Sequence, residues 1–251
     1  MIVFDISLSM LAEDMIPNRL EVAKGVIKNF ITSRNQDQIG LIIFAGKPFV
    51  SVPFSTDYSG IKNIISGLSP YLIRQDLPGL SGTNIGDALT LAIMTHSGRI
   101  SPEKSIILLT DGRANIGIKP QIAAQEAKEN NIKIYTIGIG SLSGGELSYT
   151  NTYGEKTYFY DEKGNKLQND LDEVMMKEIS NISNGEYFHA ENKLKLDSIF
   201  SEIEKKLPIV KEDILKQVTL DLSFPLLVLL FILILSERLM LSKIIQKYQL
   251  Y

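Results

Sequence analysis

Apolar residues follow two rhythms along this 251-residue chain. Short, nearly continuous apolar runs fall at Ile2–Phe4, Gln38–Ala45, Phe49–Phe54, Ser105–Thr110 and Ile132–Ile139, with a weaker one at Gly185–Ala190. Runs of this length, rich in Ile, Val and Leu, suit strands covered on both faces. Between them, apolar residues recur three and four apart: Leu20, Ala23, Ile27, Phe30 and Ile31; Ile85, Ala88, Leu89, Ala92 and Ile93; Ile122, Ala123 and Ala127; Leu171, Val174, Met175, Ile179 and Ile182; Leu196, Ile199, Phe200, Ile203 and Leu207. That spacing places one apolar stripe along a helix. Pro17 is expected near the first turn of the first helix. The alternation predicts an α/β fold, Rossmann-like and doubly wound, with a mostly parallel six-stranded sheet between helix layers. Only Gly46-Lys47-Pro48 separates the second and third runs, so the third is expected as an antiparallel edge strand.

Two segments depart from this pattern. Residues 144–168 are rich in Tyr, Gly, Asn and Thr and read as an inserted loop, with a hairpin turning at Gly164-Asn165. Loops of this length are often functional; a structural flap without a partner fits the composition equally. Near the C-terminus, Phe224–Leu235 carries no charge, and extending the stretch to 220–241 gives about the length that crosses a bilayer. A span is expected there, the alternative being a buried or interfacial helix. Four lysines precede it (Lys205, Lys206, Lys211, Lys216) and three basic residues follow (Arg238, Lys243, Lys247), which does not decide orientation. The organisation expected is a domain over 1–208, a linker over 209–219, a transmembrane helix over 220–241 and a tail over 242–251. A strand at the very first residues leads to the expectation that upstream sequence is missing from this chain, the alternative being a short native N-terminus.

Composition excludes several chemistries. The net charge is −3 and no basic block occurs, so nothing points to nucleic acid. The absence of cysteine removes disulfides, thiolate sites and cysteine nucleophiles. His96 and His189 are too few for a multi-histidine zinc site; each reads as an isolated, hydrogen-bonded surface or core histidine.

What remains is oxygen chemistry. Asp5, Ser7 and Ser9 fall at alternate positions after the first strand; in an extended loop they point to one side. Thr83 stands just before the helix over 85–97, and Asp111 closes the fourth strand. Loops at the carboxyl ends of parallel strands meet where strand order reverses. Two carboxylates and three hydroxyls suit a hard cation, Mg²⁺, Mn²⁺ or Ca²⁺, and leave it short of donors. Each residue alone could instead be a helix cap. Glu13, Asp14 and Asp87 lie nearby in sequence; they could support the ligands from behind, but an exposed or capping role is the preferred reading.

The set Asp5-Ile-Ser-Leu-Ser-Met10, Thr83 and Thr110-Asp111-Gly112 resembles the metal-ion-dependent adhesion site of von Willebrand factor A domains. Leu11-Ala-Glu-Asp-Met-Ile-Pro-Asn-Arg-Leu20 and Gly82-Thr-Asn-Ile-Gly-Asp-Ala-Leu89 narrow it to the membrane-anchored bacterial aerotolerance group, BatA-like or BatB-like. Leu8 stands where many A domains have glycine, and the transmembrane helices usual before the domain in that group are missing here. The resemblance implies that Ser7, Ser9 and Thr83 bind a metal through their hydroxyls, with Asp5 and Asp111 often acting through water. It implies a domain outside the cytoplasmic membrane, a protein partner supplying an acidic ligand, and association with other A-domain proteins and a MoxR-type AAA+ ATPase. A metal-assisted hydrolase or phosphatase is the alternative from another class, though Ser7 stands where a second carboxylate would serve it. A subunit of a channel-like complex is a third reading, for which one uniformly apolar helix makes a poor pore lining.

Overall fold

The computed structural model describes residues 1–34, 37–99, 103–112, 114–141, 146–151, 153–160, 163–166 and 171–207, with Phe231 and Arg238 beyond them. The chain divides into two compact units, Met1–Val210 and Lys211–Tyr251. In the second, Phe231 and Arg238 are helical and exposed; the expected linker, span and tail otherwise lie outside the described residues. Among the described residues no helix is long and apolar enough to cross a membrane.

The first unit is built on a six-stranded sheet. In chain order its strands are β1 (Ile2–Asp5), β2 (Ile39–Phe44), β3 (Pro48–Ser55), β4 (Lys104–Thr110) and β5 (Ile132–Ile139), then β8 (Tyr187–Ala190) after a separate two-stranded sheet of β6 (Ser148–Thr150) and β7 (Lys156–Tyr158). The spatial order is β3-β2-β1-β4-β5-β8. Every main-sheet pairing is parallel except β2 with β3. The doubly wound sheet and its antiparallel edge follow the hydrophobic pattern.

Alternate side chains of each strand feed opposite cores. Ile2, Phe4, Leu41, Ile43, Ile107 and Leu109 join one cluster with α1 (Arg19–Ser33) and α6 (Lys193–Lys206). Val3, Ile42, Phe44, Ile106 and Leu108 join the other with α3 (Ile85–His96), α4 (Pro120–Glu129) and α5 (Glu173–Ile182). All of β1 and β2 is buried. Each buried Ile, Leu or Phe is worth roughly 1.5–3 kcal/mol relative to exposure, so the two-sided burial of the central strands dominates the stability of the sheet.

Pro17 lies near the first turn of α1, just before the cap; Asn18 caps that helix by accepting from the amide of Glu21 at 2.8 Å. A further helix, α2 (Tyr58–Ser66), packs against α1 and buries Ile61 and Ile65. In the 144–168 segment Tyr160 bridges Lys166 across a positive-φ Gly164, close to the anticipated turn. The main hairpin is β6–β7, reversing where the Asn151 carboxamide oxygen accepts from the amides of Tyr153 and Glu155.

Asn84 caps α3. Its Oδ1 accepts from the amide of Asp87 at 3.1 Å, and its Nδ2 donates to Asp87 Oδ2 and Gly46 O. Asn84→Ala is expected to cost ~1–2 kcal/mol, read as a lower urea midpoint at unchanged m-value.

Candidate metal centre

Asp5 ends β1 between β2 and β4, and its carboxylate is fully buried. Oδ1 accepts from the amide of Ser7 at 2.8 Å and Oδ2 from the hydroxyl of Thr110 at 2.6 Å. Ser7 is extended (φ −62°, ψ 161°), and the chain then tightens into a 3₁₀ turn over Leu8–Leu11. An extended loop was the expectation; the turn instead carries Ser9 back toward Ser7, with 3.0 Å between their Oγ atoms. Ser9 donates to Asp111 Oδ1 at 2.9 Å. Asp5, Ser7, Ser9 and Asp111 thus form one hydrogen-bonded set, with Thr110 closing it against the sheet.

Thr83 comes from the segment just before α3. Its amide donates to Asn115 Oδ1 at 2.8 Å, and the Asn115 amide donates to the Thr83 carbonyl at 3.2 Å. Its hydroxyl faces the turn after Asp111: a methyl group placed on Gly112 would lie 3.6 Å from it. Thr83 and Asp111 are buried, and Ser9 is half-exposed.

Electrostatics favour a cation here. Burial first, and the Asp111 charge second, push the Asp5 carboxyl up to about 7 against the hydrogen bonds from Thr110 and Ser7. Two acids facing each other in a dry pocket are relieved by positive charge. Part of that charge is internal. Arg19, fully buried at the start of α1, donates from Nη1 to Asp111 Oδ2 at 2.9 Å. Its Nε and Nη2 donate to the two carboxylate oxygens of Asp14 at 2.7 and 2.6 Å. Burial pushes the Asp14 carboxyl up, but these bonds and the guanidinium charge outweigh it and hold it below the usual range. Gly140, at φ +126°, lets the guanidinium lie against the backbone; a Cβ there would sit 2.6 Å from the guanidinium carbon.

Asp14 is exposed, as expected, yet it is engaged: besides Arg19 it accepts from the amide of Ser141 at 2.9 Å. Glu13 likewise ties the loop after β1 to the inserted hairpin. Its amide donates to Ser148 O at 3.1 Å, and its carboxylate accepts from the amide of Thr150 at 2.8 Å. Asp87 holds Asn84 and the amide of Ile118. His189 contacts Gly140 O at 2.7 Å. His96 departs from expectation: among the described residues its buried Nε2 has no hydrogen-bond partner.

Arg19 and Asn115 are the supporting residues that sequence reasoning missed. For Arg19 one signal existed: a cation in the first turn opposes the helix dipole, so its presence there calls for another cause. Among the described residues no group of three or more His, Cys, Asp or Glu could hold a metal. The assembled donors are hydroxyls and two carboxylates, a set that fits a hard divalent ion rather than a thiophilic one.

Comparison with known proteins places the chain in a family. The family model of the von Willebrand factor type A domain matches residues 1–202. An uncharacterized protein of Borreliella burgdorferi is 32% identical over 241 residues, covering 92% of this chain and 67% of the relative. A UPF0353 protein of Mycolicibacterium paratuberculosis is 27% identical over 82% of this chain, and the chain spans 59% of that relative's length. Among solved structures, the conserved hypothetical protein BatB of Bacteroides thetaiotaomicron superposes with a TM-score of 0.71 at 33% identity, over 81% of this chain and 96% of that one. An aerotolerance-related membrane protein of Bacteroides fragilis gives 0.71 at 31%, over 81% and 95%. The fold is shared with proximal thread matrix protein 1 of the mussel byssus, solved with zinc in its metal-ion-dependent adhesion motif, at a TM-score of 0.60 and 20% identity, over 82% of this chain and 44% of that one.

Proposed function

Since the chain belongs to the von Willebrand factor type A domain family, we propose that it is a divalent-metal-dependent protein-binding module anchored to a membrane as part of a cell-envelope assembly. The observation that carries this reading is the continuous set Asp5–Ser7–Ser9–Asp111, with the Thr83 hydroxyl facing the same turn. In this reading Ser7, Ser9 and Thr83 hold Mg²⁺, or Mn²⁺ or Ca²⁺, through their hydroxyls, with Asp5 and Asp111 acting directly or through water. The ion supplies an electrophilic position for an acidic side chain of a protein partner. The protein contributes a dry floor: Thr110 and Ser7 orient Asp5, and Arg19 orients Asp111.

Binding fits this set better than turnover. Both carboxylates are already engaged by fixed donors, Asp5 by Ser7 and Thr110, Asp111 by Ser9 and Arg19. The membrane part of the proposal rests on the apolar stretch within 220–241 and on the similarity to one solved structure described as an aerotolerance-related membrane protein. We place the domain outside the cytoplasmic membrane, with other A-domain proteins and a MoxR-type AAA+ ATPase as candidate company.

The test is a titration of the full chain with Mn²⁺, followed by capture of envelope proteins in Mg²⁺ or in EDTA. One ion per chain and Mg²⁺-dependent capture are expected. The Ser7→Ala, Ser9→Ala double variant should lose at least about tenfold in ion affinity, roughly the weight of one or two charge-assisted ligand contacts. Equal capture by wild type and double variant, with and without EDTA, sinks the reading.

A further inference from the structure

A buried arginine in direct contact with a candidate metal ligand is an unusual arrangement. Cations are drawn to the same carboxylate, and burial strengthens their mutual repulsion. The contact is nevertheless built with care. Arg19 and the side chain of Asp111 have no solvent exposure, and their N–O distance is 2.9 Å. Asp14 grips the opposite edge of the same guanidinium through two bonds, and Gly140 leaves room for the group. The Arg19–Asp14 pair is neutral as a whole but oriented, with its positive end against Asp111 and its negative end away from it. It also occupies Oδ2 of Asp111, leaving Oδ1, the atom that Ser9 reaches.

We propose that Arg19 is a positioning and specificity-determining residue that acts through Asp111: the oriented Arg19–Asp14 pair withholds negative charge from a bound cation, so the cation is held weakly by the chain alone and firmly only when an anionic ligand joins it. This rests on the metal-dependent reading above and adds a direction to it. Demand for an acidic partner is set from behind the site by a residue that touches neither ion nor partner. The pair also extends the centre toward the inserted hairpin, because Asp14 follows Glu13, which is bonded to Ser148 and Thr150.

Two substitutions shift the local charge in opposite senses. Arg19→Met leaves Asp111 and Asp14 without their shared counter-charge; Asp14→Asn removes the carboxylate that balances the guanidinium beside Asp111. The probe is Mn²⁺, followed by electron paramagnetic resonance on the full chain in detergent, with and without saturating acetate. The quantity read is the coupling, the factor by which acetate raises Mn²⁺ affinity. Arg19→Met should bind Mn²⁺ alone at least about tenfold more tightly than wild type and show a smaller coupling. Asp14→Asn should bind it at least about tenfold more weakly and show a larger coupling, the order expected for a nearby, partly desolvated unit charge. A purely structural arginine predicts weaker binding in both variants with the coupling unchanged, and that result overturns the proposal. If Arg19→Met does not fold, Asp14→Asn decides alone: a larger coupling supports the proposal and an unchanged one overturns it. A wild type that binds no Mn²⁺ overturns the metal reading as well, which separates the two failures.

Discussion

Asp5→Asn should raise the thermal stability of the ion-free protein at pH 8 and abolish its stabilisation by Mg²⁺. Asp5 is fully buried, and its carboxyl is pushed from 3.8 up to about 7, by burial first and by Asp111 second. Between those values the folded protein keeps a proton that the unfolded chain has released. The unfolded state therefore binds fewer protons, and stability falls as pH rises from about 4 to about 7. A displacement of that size corresponds to ~4 kcal/mol at most. Asparagine removes the charge while keeping the shape. Its oxygen can still accept from Ser7, and its amide can donate to Thr110 Oγ1, which would then accept rather than donate. Calorimetric melting in EDTA at pH 5, 6, 7 and 8 reads this directly: the wild type loses Tm up to about pH 7 and then levels, the variant stays level, and the gap between them narrows toward the acid end. Saturating Mg²⁺ should flatten or reverse the wild-type slope and leave the variant unmoved. Parallel pH profiles for the two proteins in EDTA would show that Asp5 is not the strained acid.

Gly86→Ala should destabilise the domain by ~2–4 kcal/mol, the range of overpacking against an unyielding backbone, and weaken ion binding with it. Gly86 lies in the first turn of α3, and a Cβ there would sit 2.0 Å from the carbonyl oxygen of Ile118 and 2.8 Å from its carbonyl carbon. A main-chain carbonyl cannot move aside as a side-chain tip can, so the loop before α4 must lift. That loop carries Asn115, which pins Thr83. The same mutation in open space should act in the other direction. Gly25 on α1 has nothing within 4 Å of a new Cβ, so Gly25→Ala should stabilise by ~0.5–1 kcal/mol through helix propensity alone. Urea denaturation of the pair measures the contrast, and a change below ~0.5 kcal/mol at Gly86 would mean that the loop yields freely.

The sheet is legible in the sequence because its central strands are buried on both faces and must be continuously apolar, as Ile106–Leu109 and Ile132–Ile139 are. The amphipathic helices are legible where an apolar stripe runs for three turns. The nine-residue α2 is not, since its buried contribution is the single i, i+4 pair Ile61 and Ile65, with Gly60 in its first turn. At the candidate centre, alternation names Asp5, Ser7 and Ser9, but for a geometry that the 3₁₀ turn replaces; the side-chain period of two does not survive beyond Ser7. Thr83 and Asp111 can be singled out only by assuming where parallel strands end. Asn115 lies beyond local reading, its partner 32 residues away in the chain. Arg19 is marked only by its unfavourable place in the first turn of a helix, which calls for a partner without naming it; Asp111 stands 92 residues further on.

The position of β1 in the sheet has a consequence for how such a centre tolerates change. Three of its donors hang from the innermost strand, whose neighbours β2 and β4 fix it from both sides. The segments that border them, the 3₁₀ turn at Pro70–Leu72 and the β6–β7 hairpin, are carried by connections at the periphery. The candidate donors and the segments that border them thus hang from different parts of the fold: a change in the hairpin or in the Pro70–Leu72 turn leaves Asp5 gripped between β2 and β4.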